Sequence, residues 1–274
     1  MSLLEAMNLL EAARSKSQKK KVFGGKTKEE SEEHFTHRFC ASATRIQNVV
    51  LDANDKFDDI PKDVLLTFSS HDVAILDIPS GHGASGLSLL SMIHELRAAK
   101  IIPQISLNVY LLAGDYSETS LELYREMIDR IGPELSRTGI EVHLETMLWD
   151  ALDLVSTNRL CYRWEELAEG MTEGFVLVTN FSGDGKNLLD ELSEQIRHIS
   201  VRAEHNGSTI LWVEPGDPGG RKFLARIGKA IASLFGSPAV EEKDIPMSEA
   251  KWWHELHECE HPVRSAVQQY VRPR

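Results

Sequence analysis

The chain has 274 residues, of which 42% are hydrophobic and 26% are charged, a balance that is ordinary for a globular protein with a sizeable core. Its formal net charge of −12 argues against a protein that coats nucleic acid over its whole surface. Cys40, Cys161 and Cys259 are odd in number and far apart. They argue against a disulfide framework and favour a reducing, cytoplasmic setting.

The sequence predicts neither a membrane span nor a signal peptide. No run approaches the ~20 consecutive apolar residues that cross a bilayer. The first segment, MSLLEAMNLLEAARSKSQKKK, places its apolar part before its basic part, which is the reverse of a secretory signal. We therefore expect a cytoplasmic protein without a membrane partner.

Residues 1–70 are predicted to form a helical N-terminal extension with a basic arm. Apolar residues recur at helical spacing in 2–14 and in 27–54, and a Gly-Gly break separates the two segments. The first 28 residues carry seven basic side chains that could touch phosphate, although a solvated arm is the simpler interpretation. These side chains are Arg14, Lys16, Lys19, Lys20, Lys21, Lys26 and Lys28.

After His71 short apolar runs alternate with helical segments. The predicted strands are 73–78, 105–113, 140–147, 175–181 and 208–215, and the predicted helices are 84–99, 118–132, 163–170, 186–204 and 221–235. The C-terminal segment could add an antiparallel pair through 263–271. This alternation predicts an α/β fold for residues 71–274: a Rossmann-like, doubly wound, mostly parallel sheet of about seven strands, with an antiparallel C-terminal strand.

The stretch ILDIPSGHGASGLSLL, residues 75–90, joins the first strand to the first helix of this domain. Gly81, Gly83 and Gly86 form the spacing G-x-G-x-x-G, which suits a nucleotide-binding loop. A Walker loop needs a lysine where Leu87 stands, and a nucleophile elbow needs G-x-S-x-G, which the surroundings of Ser85 do not provide. A dinucleotide stays open as the ligand.

Asp77 favours a different ligand from a dinucleotide. It ends the first strand, four residues before Gly81, where a pyrophosphate gains nothing from a carboxylate. S-adenosylmethionine carries an ammonium and a cationic sulfur, so a carboxylate beside the loop attracts it. This position therefore predicts S-adenosylmethionine rather than NAD.

The same residues carry a resemblance to a known superfamily. LDIPSGHGASG resembles motif I of the class I S-adenosylmethionine-dependent methyltransferases, and the resemblance covers most of residues 73–235. Further along, STILWVEPGDPGGRKFLARIGKAI is similar to the methyltransferase-like branch associated with assembly of the small mitochondrial ribosomal subunit, and to its bacterial relatives. The residues that match that branch are Glu214, Pro215, Gly216, Pro218 and Arg226. The resemblance implies S-adenosyl-L-methionine as cofactor, and its weaker part favours RNA as the methyl acceptor.

The glycine loop supplies the first group of candidate cofactor-binding residues. Two glycines would let the backbone approach the methionine end of the cofactor, and the third would allow close helix packing, although a plain strand-to-helix turn also explains them. The carboxylate that ends the strand would contact the methionine amino group, and its alternative role is a charge at a helix N-terminus. The residues of this group are Asp77, Pro79, Ser80, Gly81, Gly83 and Gly86.

The ends of the next strands supply the second group. Asp115, followed by Tyr116, is the candidate acceptor for both ribose hydroxyls, and its alternative is a helix cap. The resemblance implies that Asp150 accepts from the adenine amino group while Trp149 or Leu148 covers the ring. An ordinary cap is the alternative for Asp150.

Asn180 and Phe181 end the fourth predicted strand, where the methyl group would leave. They preserve only part of the Asn/Asp-Pro-Pro-aromatic pattern of base-directed amine methyltransferases, so methylation of a nucleobase amine is not supported. Phe181 could stack on a flat acceptor, and core packing is the simpler role. No catalytic residue is identified, which is uninformative, because methyl transfer from a sulfonium can depend on positioning and water exclusion alone.

The stretch WWHELHECEH places His254, His257, Cys259 and His261 within eight residues. Imidazole and thiolate are zinc ligands, but this spacing matches no usual zinc site. The last three alternate as on one face of a strand, so we predict a strand and no metal site.

Three functional hypotheses follow. The first is an S-adenosylmethionine-dependent methyltransferase whose acceptor is RNA, a protein or a small molecule. The second is a catalytically silent, S-adenosylmethionine-binding assembly factor that associates with RNA or the ribosome. The third is an NAD-binding oxidoreductase. The sequence does not indicate an oligomeric state.

Overall fold

The structure is a computed structural model that describes residues 3–15, 25, 27–181, 188–232 and 240–271. Within them, seven strands form one sheet in the order β3-β2-β1-β4-β5-β7-β6. Strands β1 to β5 pair in parallel, and β7 is antiparallel to both β5 and β6. The predicted Rossmann-like sheet with an antiparallel C-terminal strand is thereby confirmed. The strands are β1 (Asp72–Ile78), β2 (Leu107–Asp115), β3 (Ile140–Leu148), β4 (Glu173–Thr179), β5 (Thr209–Pro215), β6 (Met247–His254) and β7 (Cys259–Tyr270).

Helices cover both faces of the sheet. The helices are α1 (Leu3–Ala6), α2 (Leu10–Arg14), α3 (Lys28–Leu51), α4 (Ile60–Thr67), α5 (Ala84–Ala98), α6 (Glu118–Ser136), α7 (Leu154–Ala168), α8 (Leu188–His205) and α9 (Pro218–Ala232). Apolar side chains of α3 to α6 bury one face, and those of α7 to α9 bury the other. Because β1 is covered on both sides, Val73 and Ile75 enter the first core while Leu76 and Ile78 enter the second.

Helix α3 crosses the carboxyl end of the sheet. A capping box at Thr27 and Glu30 starts the helix. Near its start, Ser31 Oγ lies 2.8 Å from Ser117 Oγ in the loop after β2. Near its end, Asn48 donates to Ser265 Oγ on β7 at 3.0 Å, and Ile46 is fully buried. The boundary at residue 70 stays a prediction, but α3 contributes to the same hydrophobic core as the sheet.

Several predicted boundaries were wrong. Helix α6 runs to Ser136 through Pro133 instead of ending at residue 132, because Gly132 has no Cβ to clash with the proline ring and Leu135 is buried. Helix α7 begins at Leu154 rather than at 163, where Asp153 accepts from Val155 N at 2.9 Å and caps it. Strand β6 was not predicted separately.

Candidate functional site

The glycine loop lies where strand order reverses. Strand β1 has β2 on one side and β4 on the other, so the connections that leave them diverge at the carboxyl end of β1. Open α/β sheets bind ligands in the crevice at such a point. The structure therefore places residues 79–83 where a ligand is expected.

The loop turns toward β2 with two residues in the left-handed region. Gly81 has φ +51° and Gly83 has φ +77°, conformations that glycine adopts without steric cost. Ser80 N donates to Gly114 O at 2.9 Å, and Gly83 N donates to Ser80 O at 2.8 Å. Helix α5 begins immediately afterwards at Ala84. The backbone of the loop is thus fixed against the end of β2.

Asp115 is the last residue of β2 and holds this loop directly. Its Oδ2 accepts from Gly81 N at 2.8 Å, and its Oδ1 accepts from Ser117 N at 2.9 Å. Burial raises the pKa of the carboxyl group, while backbone hydrogen bonds from Ser117, Gly81 and Tyr116 lower it. The structure thus brings Asp115 and the glycine loop together. Its role at the ribose stays a prediction.

Asp77 lies beneath the loop and is fully buried. Its Oδ2 accepts from Tyr124 Oη at 3.1 Å, while Oδ1 has no hydrogen-bond partner among the described residues. Burial is the main reason why the pKa of Asp77 is raised to about 8. Hydrogen bonds from Tyr124 and from the Gly86 backbone act to lower this pKa, and the nearby Asp115 acts to raise it. Burial therefore favours the protonated form of this carboxyl group.

Tyr124 on α6 is a site residue that the sequence reasoning missed. It is fully buried, and a Cβ on Gly83 would lie 2.2 Å from its ring. A Cβ on Gly86 would lie 2.0 Å from its hydroxyl oxygen. Gly86 thus leaves room for the hydroxyl of Tyr124, and Gly83 leaves room for its ring. Whether Gly83 also lets the backbone approach a cofactor stays a prediction.

The first turns of α3 pack against His82 of the glycine loop. His82 is 3% exposed, and its ring centroid lies 5.2 Å from that of Phe35 and 5.7 Å from that of His34. His82 Nε2 lies 3.3 Å from Ser120 Oγ. Burial, assisted by His34, lowers the pKa of His82 to about 3; burial and Arg38 lower the pKa of His34 to about 4. Both imidazoles are therefore neutral at pH 7.

This histidine pair is expected to make the protein sensitive to acid. Since His82 binds a proton more readily when unfolded, it stabilises the fold fully above about pH 6.5 and progressively less as the pH falls toward its folded pKa of about 3. Between about pH 4 and pH 6, His82→Gln should lower the pH slope of the unfolding free energy by up to about 1.4 kcal/mol per unit. Urea unfolding across this range measures the slope. His205→Gln, at an exposed position, is the control, and equal slopes in all three proteins would contradict the prediction.

After β3, the adjacent residues Trp149 and Asp150 differ in accessibility. Trp149 is 2% exposed, its N donates to Asp115 O at 2.9 Å, and its Nε1 donates to Thr157 Oγ1 at 3.0 Å. Asp150 is exposed and accepts from Leu152 N at 3.0 Å in the turn before α7. Both follow β3, and Trp149 contacts the end of β2 through Asp115. Their contacts with adenine stay predictions, as does that of the half-exposed Tyr116.

At the end of β4, Asn180 meets a side chain from α3. Its Oδ1 accepts from Arg45 Nη1 at 2.6 Å, a contact that no sequence signal indicated. Phe181 packs among Trp149, Trp212 and Phe223, with ring centroids about 6 Å away, so its role in the structure is core packing.

Glu214 ends the apolar run of β5 and is fully buried. It accepts from Phe181 N at 2.8 Å and from Trp212 Nε1 at 2.9 Å. The Glu-Pro-Gly segment thus links the ends of β4 and β5. Pro218 begins α9, whereas the resemblance implied that it lies in the loop before a helix predicted from residue 221.

The histidine cluster lies at the turn between β6 and β7. His257 falls in a short 3-10 helix, Glu255–His257, so the prediction that it alternates with Cys259 and His261 on one strand was wrong. His257 Nδ1 lies 3.0 Å from His261 Nε2, and its Nε2 lies 3.0 Å from Ala13 O on α2. Among the described residues, no group of three or more His, Cys, Asp or Glu side chains is arranged to hold a metal ion.

Most of the basic arm lies outside the described residues. Of the seven basic side chains, Arg14 and Lys28 are described, and they pair with Glu11 at 2.8 Å and with Glu32 at 3.8 Å. In the part of the chain that the structure covers, no helix has the length and apolar character that would span a membrane.

Comparisons with known proteins give distant likenesses. No family profile and no curated protein matches the sequence. A solved structure from Methanococcus maripaludis, described as an S-adenosyl-L-methionine-dependent methyltransferase, aligns at 10% identity and a TM-score of 0.38 over 95% of this chain and 98% of that chain. The structure of the glycopeptide N-methyltransferase MtfA complexed with sinefungin aligns at 13% identity and a TM-score of 0.31, over 81% of this chain and 72% of that chain. The structure of an S-adenosylmethionine-dependent O-methyltransferase from Thermotoga maritima aligns at 13% identity and a TM-score of 0.31, over 84% of this chain and 72% of that chain. Likenesses this distant do not assign an activity.

Proposed function

We propose that the chain binds S-adenosyl-L-methionine at the carboxyl ends of β1 and β2 and transfers its methyl group to an acceptor. The observation that carries the proposal is the pair of buried carboxyl groups at the glycine loop. Asp115 accepts from Gly81 N, and Asp77 lies under the same loop with one oxygen unpartnered among the described residues. A ligand with both a vicinal diol and an ammonium suits this pair.

A dinucleotide suits the arrangement less well. The diol acceptor at the end of β2 would serve NAD equally, but a pyrophosphate gains nothing from a buried acid at the end of β1, whereas an ammonium group does. A dinucleotide-binding sheet has the order 3-2-1-4-5-6, whereas here β7 is inserted antiparallel between β5 and β6. Both differences favour S-adenosylmethionine over NAD.

Each candidate residue then has a defined task. Asp115 accepts from the ribose hydroxyls, and Asp77 accepts from the methionine ammonium. Pro79, Ser80, Gly81 and Gly83 supply the backbone of the loop. The second set of contacts, with adenine or near the departing methyl group, comes from Tyr116, Trp149, Asp150 and Asn180. The bound cofactor itself would supply a methyl group on an activated sulfonium, so the protein needs mainly to position the acceptor and exclude water.

The acceptor belongs to this proposal as well. RNA is the first candidate, supported by the resemblance of residues 208–231 to the ribosome-assembly branch and by the basic side chains of residues 14–28. The acidic remainder of the chain suits a protein or a small molecule. The proposal also includes a cytoplasmic location.

A silent cofactor-binding assembly factor is the second candidate. It is favoured by a contact of α3: Arg45 donates a hydrogen bond to Asn180 Oδ1 at the end of β4. A methyl acceptor would have to approach at this same place. In that case the cofactor site would serve binding to RNA or the ribosome without transfer.

We expect S-adenosylmethionine and its demethylated product to bind in a calorimetric titration, and NAD not to bind. Binding of NAD alone would overturn the assignment. Transfer is tested by tritium-labelled cofactor incubated with cell extract that is then separated into RNA, protein and small molecules. Label in one fraction identifies the acceptor class. Cofactor binding without label in any fraction would favour the silent factor.

A further inference from the structure

Asp77 is buried with one carboxyl oxygen, Oδ1, that has no hydrogen-bond partner among the described residues. The groups that face it are Tyr124 on α6, the backbone N–H of Gly86 on α5, and the carboxyl of Asp115 on β2. The one charged neighbour is thus another acid, and no cation within the described residues is recorded as acting on Asp77. A buried carboxylate without a counter-ion is strongly disfavoured.

Tyr124 can act only as a hydrogen-bond donor toward an ionised Asp77. Its hydroxyl lies 3.1 Å from Oδ2, and its ring is enclosed by Gly83 and Gly86, whose missing Cβ atoms make room for it. The tyrosine is therefore held in one place by the loop that it supports. This contact occupies Oδ2 and leaves Oδ1 as the acceptor for a ligand.

We propose that Asp77 and Tyr124 form a proton-releasing receptor for the ammonium group of the ligand, in which Tyr124 is the positioning residue. This inference rests on the proposed function. In the free protein Asp77 carries a proton. When the ammonium arrives, the proton leaves to solvent, the carboxylate pairs with the cation through Oδ1, and Tyr124 donates to Oδ2. One proton is released for each ligand bound, and no bond to carbon changes.

The consequence is an affinity that depends on pH with a defined sign. Because the carboxyl of Asp77 ionises only at about pH 8 in the free protein, binding of an ammonium ligand should strengthen as the pH rises from about 6 to 7.5. The slope approaches a factor of ten per pH unit for one proton released. Above about pH 8 an α-amino group itself loses its charge, so the rise ends there.

The probe pair is S-adenosylmethionine and methylthioadenosine, which keeps the nucleoside but has no ammonium. Titration calorimetry in two buffers of different ionisation enthalpy counts the protons released. We expect release and a rising affinity for S-adenosylmethionine, and neither for methylthioadenosine. Asp77→Asn, which cannot ionise, should make the S-adenosylmethionine profile flat.

Tyr124→Phe tests the positioning role against a matched control. It should weaken S-adenosylmethionine binding severalfold and shift the pH profile upward, because the ionised carboxylate loses its donor; methylthioadenosine binding should not change. Tyr270→Phe removes another buried hydroxyl, which donates to Gln268 Oε1 on β7, and should change neither. A purely structural role would lower the melting temperature without moving the pH profile.

Different results would contradict cofactor binding and proton release at Asp77. If neither S-adenosylmethionine nor methylthioadenosine binds the native protein, the proposed function itself is wrong. If both bind but S-adenosylmethionine releases no proton, or if Tyr124→Phe leaves its pH profile unmoved, the receptor is overturned while the cofactor assignment stands. Should Tyr124→Phe not fold, Asp77→Asn and the buffer comparison still decide the matter.

Discussion

Gly83→Ala is expected to lower the free energy of unfolding by about 2–5 kcal/mol. The new residue would have to hold φ +77°, which costs about 1–2 kcal/mol for an L-residue. Its Cβ would also lie 2.2 Å from the ring of Tyr124, which is fully buried and cannot move aside without displacing the core. Such overpacking costs about 1–3 kcal/mol. Urea unfolding without ligand measures the sum.

Gly207→Ala separates the two contributions. This glycine has φ +68°, but a Cβ there would meet nothing within 4 Å, so only the backbone cost applies. We expect a loss of about 1–2 kcal/mol for it. If both variants lose the same stability, Tyr124 is not packed against the glycine loop, and the positioning role proposed for it fails as well.

The alternation of apolar runs was sufficient to predict the sheet. Strand β1 is apolar because it is buried on both faces, and its next neighbours β2 and β4 repeat the pattern, so a doubly wound sheet follows from the sequence. The strand 105–113 was placed two residues too early, yet Asp115 was still recognised as the acid that closes it. Local pattern thus predicts the elements and the residues at their ends.

Contacts between distant elements were not predictable in this way. Tyr124 is 47 residues from Asp77, and Arg45 is 135 residues from Asn180. Nothing in the spacing of either residue distinguishes it from an ordinary member of an amphipathic helix. The same limit applies to His82, which the sequence presents as a loop residue and the structure buries under Phe35 and His34. Long-range packing, which a single sequence does not display, determines these parts of the site.

Asp115→Ala is expected to weaken S-adenosylmethionine binding at least about tenfold. If the carboxylate accepts from the ribose diol, its removal deletes charge-assisted hydrogen bonds worth roughly 1.5–3 kcal/mol each, and about 1.4 kcal/mol is a factor of ten. The loss of the contact with Gly81 N at 2.8 Å would also release the loop. Stability should fall too, because Gly81 N and Ser117 N lose a buried acceptor, at about 1–3 kcal/mol for each donor left unsatisfied.

Both possible roles of Asp115, binding the ribose and forming the turn, therefore predict a loss of stability. The decisive comparison is between the affinities of the variants for S-adenosylmethionine. Asp153→Ala removes the exposed cap of α7, where the side chain accepts from Val155 N at 2.9 Å. It should cost about 1 kcal/mol of stability and leave the dissociation constant unchanged. Asp115→Asn keeps one acceptor oxygen for the loop, so it should retain more stability than Asp115→Ala while losing a similar share of the affinity, since the charge is gone. An Asp115→Ala protein that binds S-adenosylmethionine as tightly as Asp153→Ala would move the ribose contact to another residue and leave Asp115 as the brace of the glycine loop.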